Sequence, residues 1–398
     1  MDIGVNKRMP RQAERLNTLP PYVFAVIGDK LRQMQNEGID VIRLDIGSPD
    51  MPPSEIVINA LSAAAKKANN HGYSGYRGIP AFRQAVARYY AKRFGVTVDA
   101  DKQVLPLLGS KEGIVNFCLA YIDKGDIALI PDVGYPSYAM GARLAGGGIH
   151  WLPVRPETNF LPILSDIPSD IAKRAKILWV NYPNNPTGAT ADLDFYAKAV
   201  EFCKENDIIL ASDNPYADIT FDGYRAESAL KVPDAISHTV EFFSLSKSHN
   251  MAGWRIGAAV GSEEALATLL TVKSNMDSGH FKAVYEAGEV ALDQIDEDWM
   301  RERNSIYQRR RDLILDSLDE LGLSANKSKG SLYVWAKVLD GDASDFVTKA
   351  LDEAHVSLAP GAAYGPGGDG YVRISIGIAD DRLVEALNRL KEWRKANS

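Results

Sequence analysis

Seven short apolar runs punctuate the stretch from Gln103 to Gly261: "VLPLL", "DIALIPD", "IHWLPV", "KILWVNYP", "DIILASD", "VEFFSLS" and "RIGAAVG". Each is apolar at consecutive rather than alternate positions, as in a strand buried on both faces, and helix-patterned windows separate them. Leu193 to Lys204 is one such window, with Phe195, Tyr196, Ala199, Val200 and Cys203 on a single helical face. Strands that alternate with helices in this way predict an α/β domain, its largely parallel sheet covered on both sides.

After Met300 the texture changes. "RERNSIYQRRRDLILDSLDEL" predicts one long charged helix. "GSLYVWAKV", a helix, "HVSLAP", "YVRISIG" and a last helix then predict a smaller α+β domain, with which the early strand "VIRLDIGSPD" is expected to pack. The expected organisation is an N-terminal arm at 1–20, an N-terminal part of the small domain at 21–52, a large domain at 53–299 and a small C-terminal domain at 300–398.

Charge and composition narrow the function. With 45 Lys+Arg against 52 Asp+Glu and no basic run, a nucleic-acid partner is not expected. No stretch approaches the roughly 18 apolar residues of a membrane span, and the N-terminus has no apolar core of signal-peptide length, so a cytoplasmic protein is expected. Cys118 and Cys203 sit in apolar helical patterns without a CxxC partner, and the six histidines have no ligand spacing, so they predict neither a disulfide nor a metal site.

In parallel sheets, ligands gather beyond the carboxyl ends of the strands, so the residues just after each run carry the chemistry. After "VLPLL", Gly109, Ser110 and Lys111 open a helix; free N–H groups, a hydroxyl and the helix dipole suit an anion there, although the same residues also make an ordinary N-cap. Neither "GSKEG" nor "GYSGYRG" has the GK[ST] ending of a nucleoside-triphosphate loop. In "YPNNPTG", Pro183 and Pro186 fix a turn that leaves the Asn185 amide for a ligand. Asp213 ends an apolar run, where a carboxylate must be paired, capping or ligand-bound, and Tyr216 follows three residues on. In "FFSLSKSHNMAGWRIG", Ser244, Ser246 and Arg255 suit a phosphate. A lone lysine is ordinarily a solvated turn residue, but Lys247 beside that positive charge is expected to have a lowered pKa and a nucleophilic amine.

Together these residues meet the needs of one cofactor, pyridoxal 5'-phosphate. Lys247 supplies the amine for its aldehyde and Asp213 the anion for its ring nitrogen. Asn185 and Tyr216 donate to its phenolate, and Tyr135 in "DVGYPSY" stacks on its ring. Ser110, Lys111, Ser244, Ser246 and Arg255 form the phosphate cup.

The motifs "RLDIGSPDMPP", "YSGYRGIPAFRQAV", "GSKEGI", "PDVGYPSY", "NYPNNPTG", "SDNPYAD", "SLSKSHNMAGWRIG" and "YVRISIG" follow one another in family order. Through them the chain resembles the class I and II aminotransferases of pyridoxal-phosphate fold type I over nearly its whole length. The resemblance implies an aspartate-aminotransferase-like fold, with a mostly parallel seven-stranded sheet between helices and a smaller α+β domain. It implies that Lys247 carries the cofactor as a Schiff base and acts as general base, that Asp213 pairs with the ring nitrogen, and that Tyr216 and Asn185 bond the phenolic oxygen. The turn at Gly109, Ser110 and Lys111 would meet the phosphate with Ser244, Ser246 and Arg255. Tyr73 matches a tyrosine that reaches the phosphate of the neighbouring subunit, which implies a homodimer with shared sites. Arg373 matches the arginine that grips the substrate α-carboxylate, with Gly47 and Asn185 alongside, and a guanidinium fork suits that task.

The implied activity is ping-pong transfer of an amino group between an L-amino acid and a 2-oxo acid, with 2-oxoglutarate and glutamate as one pair. "GSKEGI", the lysine segment and "SNMDSG" are similar to the LL-diaminopimelate aminotransferase branch, with its acidic or broad substrates. His280 and Tyr285 depart from that branch. No second arginine stands between Leu270 and Lys273, which leaves Lys273 as a point charge for a side-chain carboxylate. A fold-type-I lyase acting at Cβ or Cγ is the alternative. A cofactor-sensing regulator is disfavoured by the acidic chain and the short arm before Tyr22.

Overall fold

The computed structural model describes residues 11–19 and 23–397; the rest, including part of the expected arm, lies outside the described residues. All seven apolar runs are strands of one sheet. They are β2 (Val104–Leu107), β3 (Ile127–Pro131), β4 (Gly148–Leu152), β5 (Ala175–Val180), β6 (Ile209–Asp213), β7 (Thr239–Ser244) and β8 (Gly257–Gly261), preceded in the chain by β1 (Ile42–Arg43). The sheet order is β2-β8-β7-β6-β5-β3-β4. Only β8 runs against its neighbours. Its direction follows from its connection: after β7 the chain doubles back through residues 245–256, closed by Leu245 N–H to Ile256 O at 3.2 Å, instead of crossing over the sheet through a long helix.

That reversal matters for chemistry. Gly257 opens β8 opposite both Ser244, the end of β7, and Leu107, the end of β2. The residues just before β8 therefore share an edge with the carboxyl ends of the parallel strands. A Cβ on Gly257 would lie 2.5 Å from the Phe243 carbonyl, so the close approach requires glycine.

Burial on both faces explains the unbroken apolar runs. Ile177, Leu178, Trp179 and Val180 of β5 are all fully buried, each such side chain stabilising the fold by about 1.5–3 kcal/mol. The helix Leu193–Glu205 starts where the Asp192 carboxylate accepts from Phe195 N–H at 2.9 Å and buries the five residues predicted for its inner face.

The second sheet is β9 (Leu323–Ala325), β10 (Tyr333–Val338), β12 (Ala359–Pro360) and β13 (Tyr371–Ser375), antiparallel in the order β12-β13-β10-β9. β1 pairs in parallel with β11 (Val356–Ser357), and Ser375 N–H donates to Leu44 O at 2.8 Å. Residues 43–48 are thereby carried alongside β13. The long charged helix is shorter than expected and starts earlier. It runs over Glu297–Leu315, capped by Asp296 on Trp299 N–H, and Leu318–Leu321 forms a separate turn. Ser317 causes the break: its hydroxyl bonds the Leu313 carbonyl at 3.0 Å, and its N–H reaches only three residues back, to Ile314. No helix among the described residues is long and apolar enough to cross a membrane.

Candidate active site

A cleft of about 430 Å³ lies between the shared edge of the large sheet and residues 43–48, Tyr333, Tyr364 and Arg373 of the smaller unit. All the residues predicted to hold the cofactor or the α-carboxylate, except Gly109 and Tyr73, line it.

Lys247 stands on the one-turn helix Leu245–Ser248 that follows β7. Its Nζ donates to the Gly47 carbonyl. Burial in the cleft, then the charges of Arg373 and Arg255, lower its pKa to about 7, so much of the amine is uncharged near neutrality. From behind, Arg303 clamps the turn through the Ser248 carbonyl while its Nη2 bonds the Asp218 carbonyl at 2.6 Å.

Asp213 ends β6 and is buried. Its Oδ2 accepts from the Tyr138 hydroxyl at 2.7 Å, its backbone carbonyl accepts from Asn181 Nδ2 at 2.6 Å, and its Oδ1 has no hydrogen-bond partner among the described residues. Burial raises its pKa to about 7, against the pull of the Tyr138 bond and with a further push from the buried Glu241 charge. A buried acid in this state calls for a cation at the free oxygen.

Arg373 on β13 is 4% exposed and lies between two rings, its guanidinium carbon 4.0 Å from the Tyr333 centroid and 4.8 Å from that of Tyr364. Nη1 donates to Asn185 Oδ1 at 3.0 Å and Nη2 to the Asp45 carbonyl at 2.7 Å, while Nε has no partner among the described residues. Gly47 leaves the arginine accessible: a Cβ there would lie 2.7 Å from the Tyr333 hydroxyl and 3.5 Å from both terminal nitrogens. The Tyr216 and Tyr333 hydroxyls meet at 2.9 Å.

At the other end, Arg255 Nη1 reaches Ser246 Oγ at 3.4 Å, and Ser244 Oγ accepts from Ser246 N–H. Gly109 is just outside the cleft, with φ +78°. A Cβ there would collide with the Arg255 guanidinium, so it shapes this corner from behind. Ser110 begins the helix Ser110–Tyr121, and Lys111 and Tyr135 line the cleft beside it. Tyr73 is 87% exposed and lies outside this chain's cleft.

One expectation is overturned. Lys273 is 1% exposed and held by Asp277 at 2.6 Å and Glu112 at 3.6 Å, so its charge is already matched inside the protein and unavailable to a substrate. His280 and Tyr285 do not line the cleft either: His280 Nε2 meets the Arg255 carbonyl at 2.6 Å, and Tyr285 is buried beside Gly78. Sequence reasoning passed over Arg43, Asp45, Tyr138, Asn181, Tyr333 and Tyr364. Only Asn181 carried a local signal, as an amide closing an apolar run.

Pyridoxal phosphate fits these residues. The acid with one free buried oxygen suits a protonated ring nitrogen, the partly uncharged amine suits an aldehyde, and the serine, lysine and arginine corner suits a phosphate dianion. The family model for aminotransferase class I and II matches residues 39–390. The chain is 46% identical to the LL-diaminopimelate aminotransferase of Moorella thermoacetica, over 96% of this chain and 98% of that one. It is 45% identical to the enzyme of the same name from Aquifex aeolicus, over 96% and 99%. The solved structure of a probable N-succinyldiaminopimelate aminotransferase from Thermus thermophilus superimposes with a TM-score of 0.88 at 36% identity, covering 93% of this chain and all of that one. Matched along nearly its whole length in sequence and in fold, the chain belongs to the class I and II aminotransferases, pyridoxal-phosphate-dependent enzymes that transfer an amino group between an amino acid and a 2-oxo acid.

Proposed function

We propose that this aminotransferase takes its amino group from LL-diaminopimelate, passes it to 2-oxoglutarate, and works as a homodimer with shared sites. One observation carries the site assignment: Lys247, Asp213 and Arg373 face a single cleft. The names of relatives at 45–46% identity over almost the full length support the donor.

When bound, pyridoxal phosphate supplies an aldehyde that condenses with amines and a ring that takes up the electron pair of a broken Cα–H bond. Asp213, oriented by Tyr138, would keep a proton on the ring nitrogen through its free Oδ1. Tyr135 would stack on the ring, and Asn185 and Tyr216 would donate to its phenolic oxygen. Ser110, Lys111, Ser244, Ser246 and Arg255 would hold the phosphate, with Gly109 behind them. Arg373 binds the substrate α-carboxylate through its fork, beside Asn185 and the Gly47 backbone. Lys247 Nζ takes the proton from the substrate Cα, a task suited to an amine that titrates near 7.

The test of the donor is an absorbance scan of the cofactor-loaded enzyme with LL-diaminopimelate, glutamate, aspartate, alanine and phenylalanine. LL-diaminopimelate is expected to convert the visible band to a near-ultraviolet one, and 2-oxoglutarate to restore it. Conversion by another of these amino acids with no response to LL-diaminopimelate overturns the donor assignment.

Support for the dimer comes from the surface around Tyr73, where Tyr76 and Phe281, the latter packed on His71, are also exposed. If Tyr73 reaches across to the other subunit, mixing Tyr73→Ala and Lys247→Ala proteins will regenerate one intact site per hybrid dimer. Activity is then expected to reappear on mixing; two inactive parents that stay inactive although hybrid dimers form contradict the shared site.

A further inference from the structure

Two charged side chains in the cleft have no part in holding the cofactor or the α-carboxylate: Arg43 and Asp45. Asp45 is buried, its side chain 3% exposed, and both carboxylate oxygens accept from Arg43, Oδ1 from Nε and Oδ2 from Nη2, each at 2.6 Å. Two parallel bonds of this kind form the strongest geometry open to such a pair. Arg43 stays 38% exposed, and its Nη1 lies outside the pair. The backbone fixes where the pair stands. The Asp45 carbonyl accepts from Arg373 Nη2 at 2.7 Å, and the Gly47 carbonyl accepts from Lys247 Nζ. The segment that carries the pair therefore touches both the arginine that would hold the substrate carboxylate and the base that would act at Cα.

Resting on the reading that LL-diaminopimelate is the donor, we infer that the Arg43–Asp45 pair recognises the far end of the substrate, and that the class it selects is amino acids whose side chain ends in an ammonium and a carboxylate on one carbon. Such an end exchanges partners with the pair. Its carboxylate goes to the guanidinium and its ammonium to Asp45, so the four charges alternate and none is buried alone. On a chain as long as that of diaminopimelate, a lone far carboxylate competes with Asp45 for Arg43 and strips the buried acid of its partner; 2-oxoglutarate, two carbons shorter, is not subject to this exclusion. A lone far ammonium does the converse to Arg43. Analogues are rejected by what they leave unpaired.

The test uses the holoenzyme and four amino acids built on one chain. LL-diaminopimelate has both far groups, L-lysine lacks the far carboxylate, L-2-aminopimelate lacks the far amine, and L-norleucine lacks both. The wild-type half-reaction is expected to favour LL-diaminopimelate over each of the others by about 100-fold or more in kcat/KM. Asp45→Asn keeps the backbone carbonyl for Arg373 and releases Arg43, so 2-aminopimelate should gain about tenfold or more relative to lysine. Arg43→Met should move the same ratio the other way, and it serves alone if the first variant does not fold. Calorimetric titration of these ligands onto cofactor-loaded Lys247→Ala protein, with and without Asp45→Asn, should give the same ordering without turnover. If both variants leave the ratio of 2-aminopimelate to lysine unchanged while LL-diaminopimelate remains the donor, the inference falls and the proposed function stands. A wild-type enzyme that ignores LL-diaminopimelate but is converted by another amino acid overturns both.

Discussion

Lys247→Ala is expected to lower turnover by about 10⁴-fold or more, because the proposed function gives this one side chain the roles of both covalent nucleophile and base. The guanidiniums of Arg255 and Arg373 beside it make no substitute base. The fold should survive the change, since the Lys247 turn is also held by Arg303 on the Ser248 carbonyl and by Leu245 N–H on Ile256. The folded amine titrates near 7 and the unfolded one near 10.5, so burying this lysine destabilises the cofactor-free protein fully below about pH 7, and the penalty is gone above about 10.5. Relative to wild type, the cofactor-free alanine variant should therefore be favoured most in acid, with its advantage shrinking as the pH rises. Half-reaction rates and thermal melts at about pH 6 and about pH 9.5 check both statements. A variant that transaminates at near the wild-type rate would sink the assignment of Lys247.

Asp213→Asn should separate stability from function. Without a carboxylate at the ring nitrogen, turnover is expected to fall by about 10³-fold, the order seen when one preorganised electrostatic partner is removed. The cofactor-free protein should respond in the opposite sense. The folded pKa of about 7 lies above the unfolded 3.8, so the ionised carboxylate is a burden that is absent below 3.8, grows between the two values and is complete above about 7. A shift of about three pH units corresponds to about 4 kcal/mol at most, less what the amide loses by fitting poorly against the Tyr138 hydroxyl. Scanning calorimetry of cofactor-free proteins is expected to show the Asp213→Asn variant melting above wild type at about pH 8.5 and little changed at about pH 4.5. An equal loss of stability at both pH values, with turnover retained, would mean that Asp213 is an ordinary structural acid.

The parts of this molecule that were legible in its sequence are those whose cause is local. A strand buried on both faces must be apolar throughout, so all seven runs announced themselves, and a strand-end acid such as Asp213 stands out because its surroundings are apolar. Lys247, Asp213, Asn185 and Arg255 each follow or precede such a run, and the edge they share follows from topology. Residues defined by distant partners gave no such signal. Tyr333 read as one more strand residue, and its bonds to Tyr216 and Gly47 bridge segments far apart in the chain. Lys273 failed for the same reason. Its neighbour Asp277 was visible in sequence, but Glu112, which closes the cage on the other side, comes from a different helix. The early end of the charged helix was missed because a hydroxyl's bond to its own backbone leaves no mark in the apolar pattern.

The distribution of the cleft's lining along the chain also bears on how a new molecule comes into being. Every side chain of this chain assigned to the phosphate lies between Gly109 and Arg255, whereas the carboxylate grip waits for Arg373 on β13. Roughly 120 residues separate the two, about 6–24 s of synthesis at ordinary rates. On the proposed assignment, a growing chain thus carries its own phosphate-binding side chains well before the arginine that would hold an amino acid in place. During that interval Lys247 also lacks the wall formed by Tyr333 and Arg373 that later shields it from water.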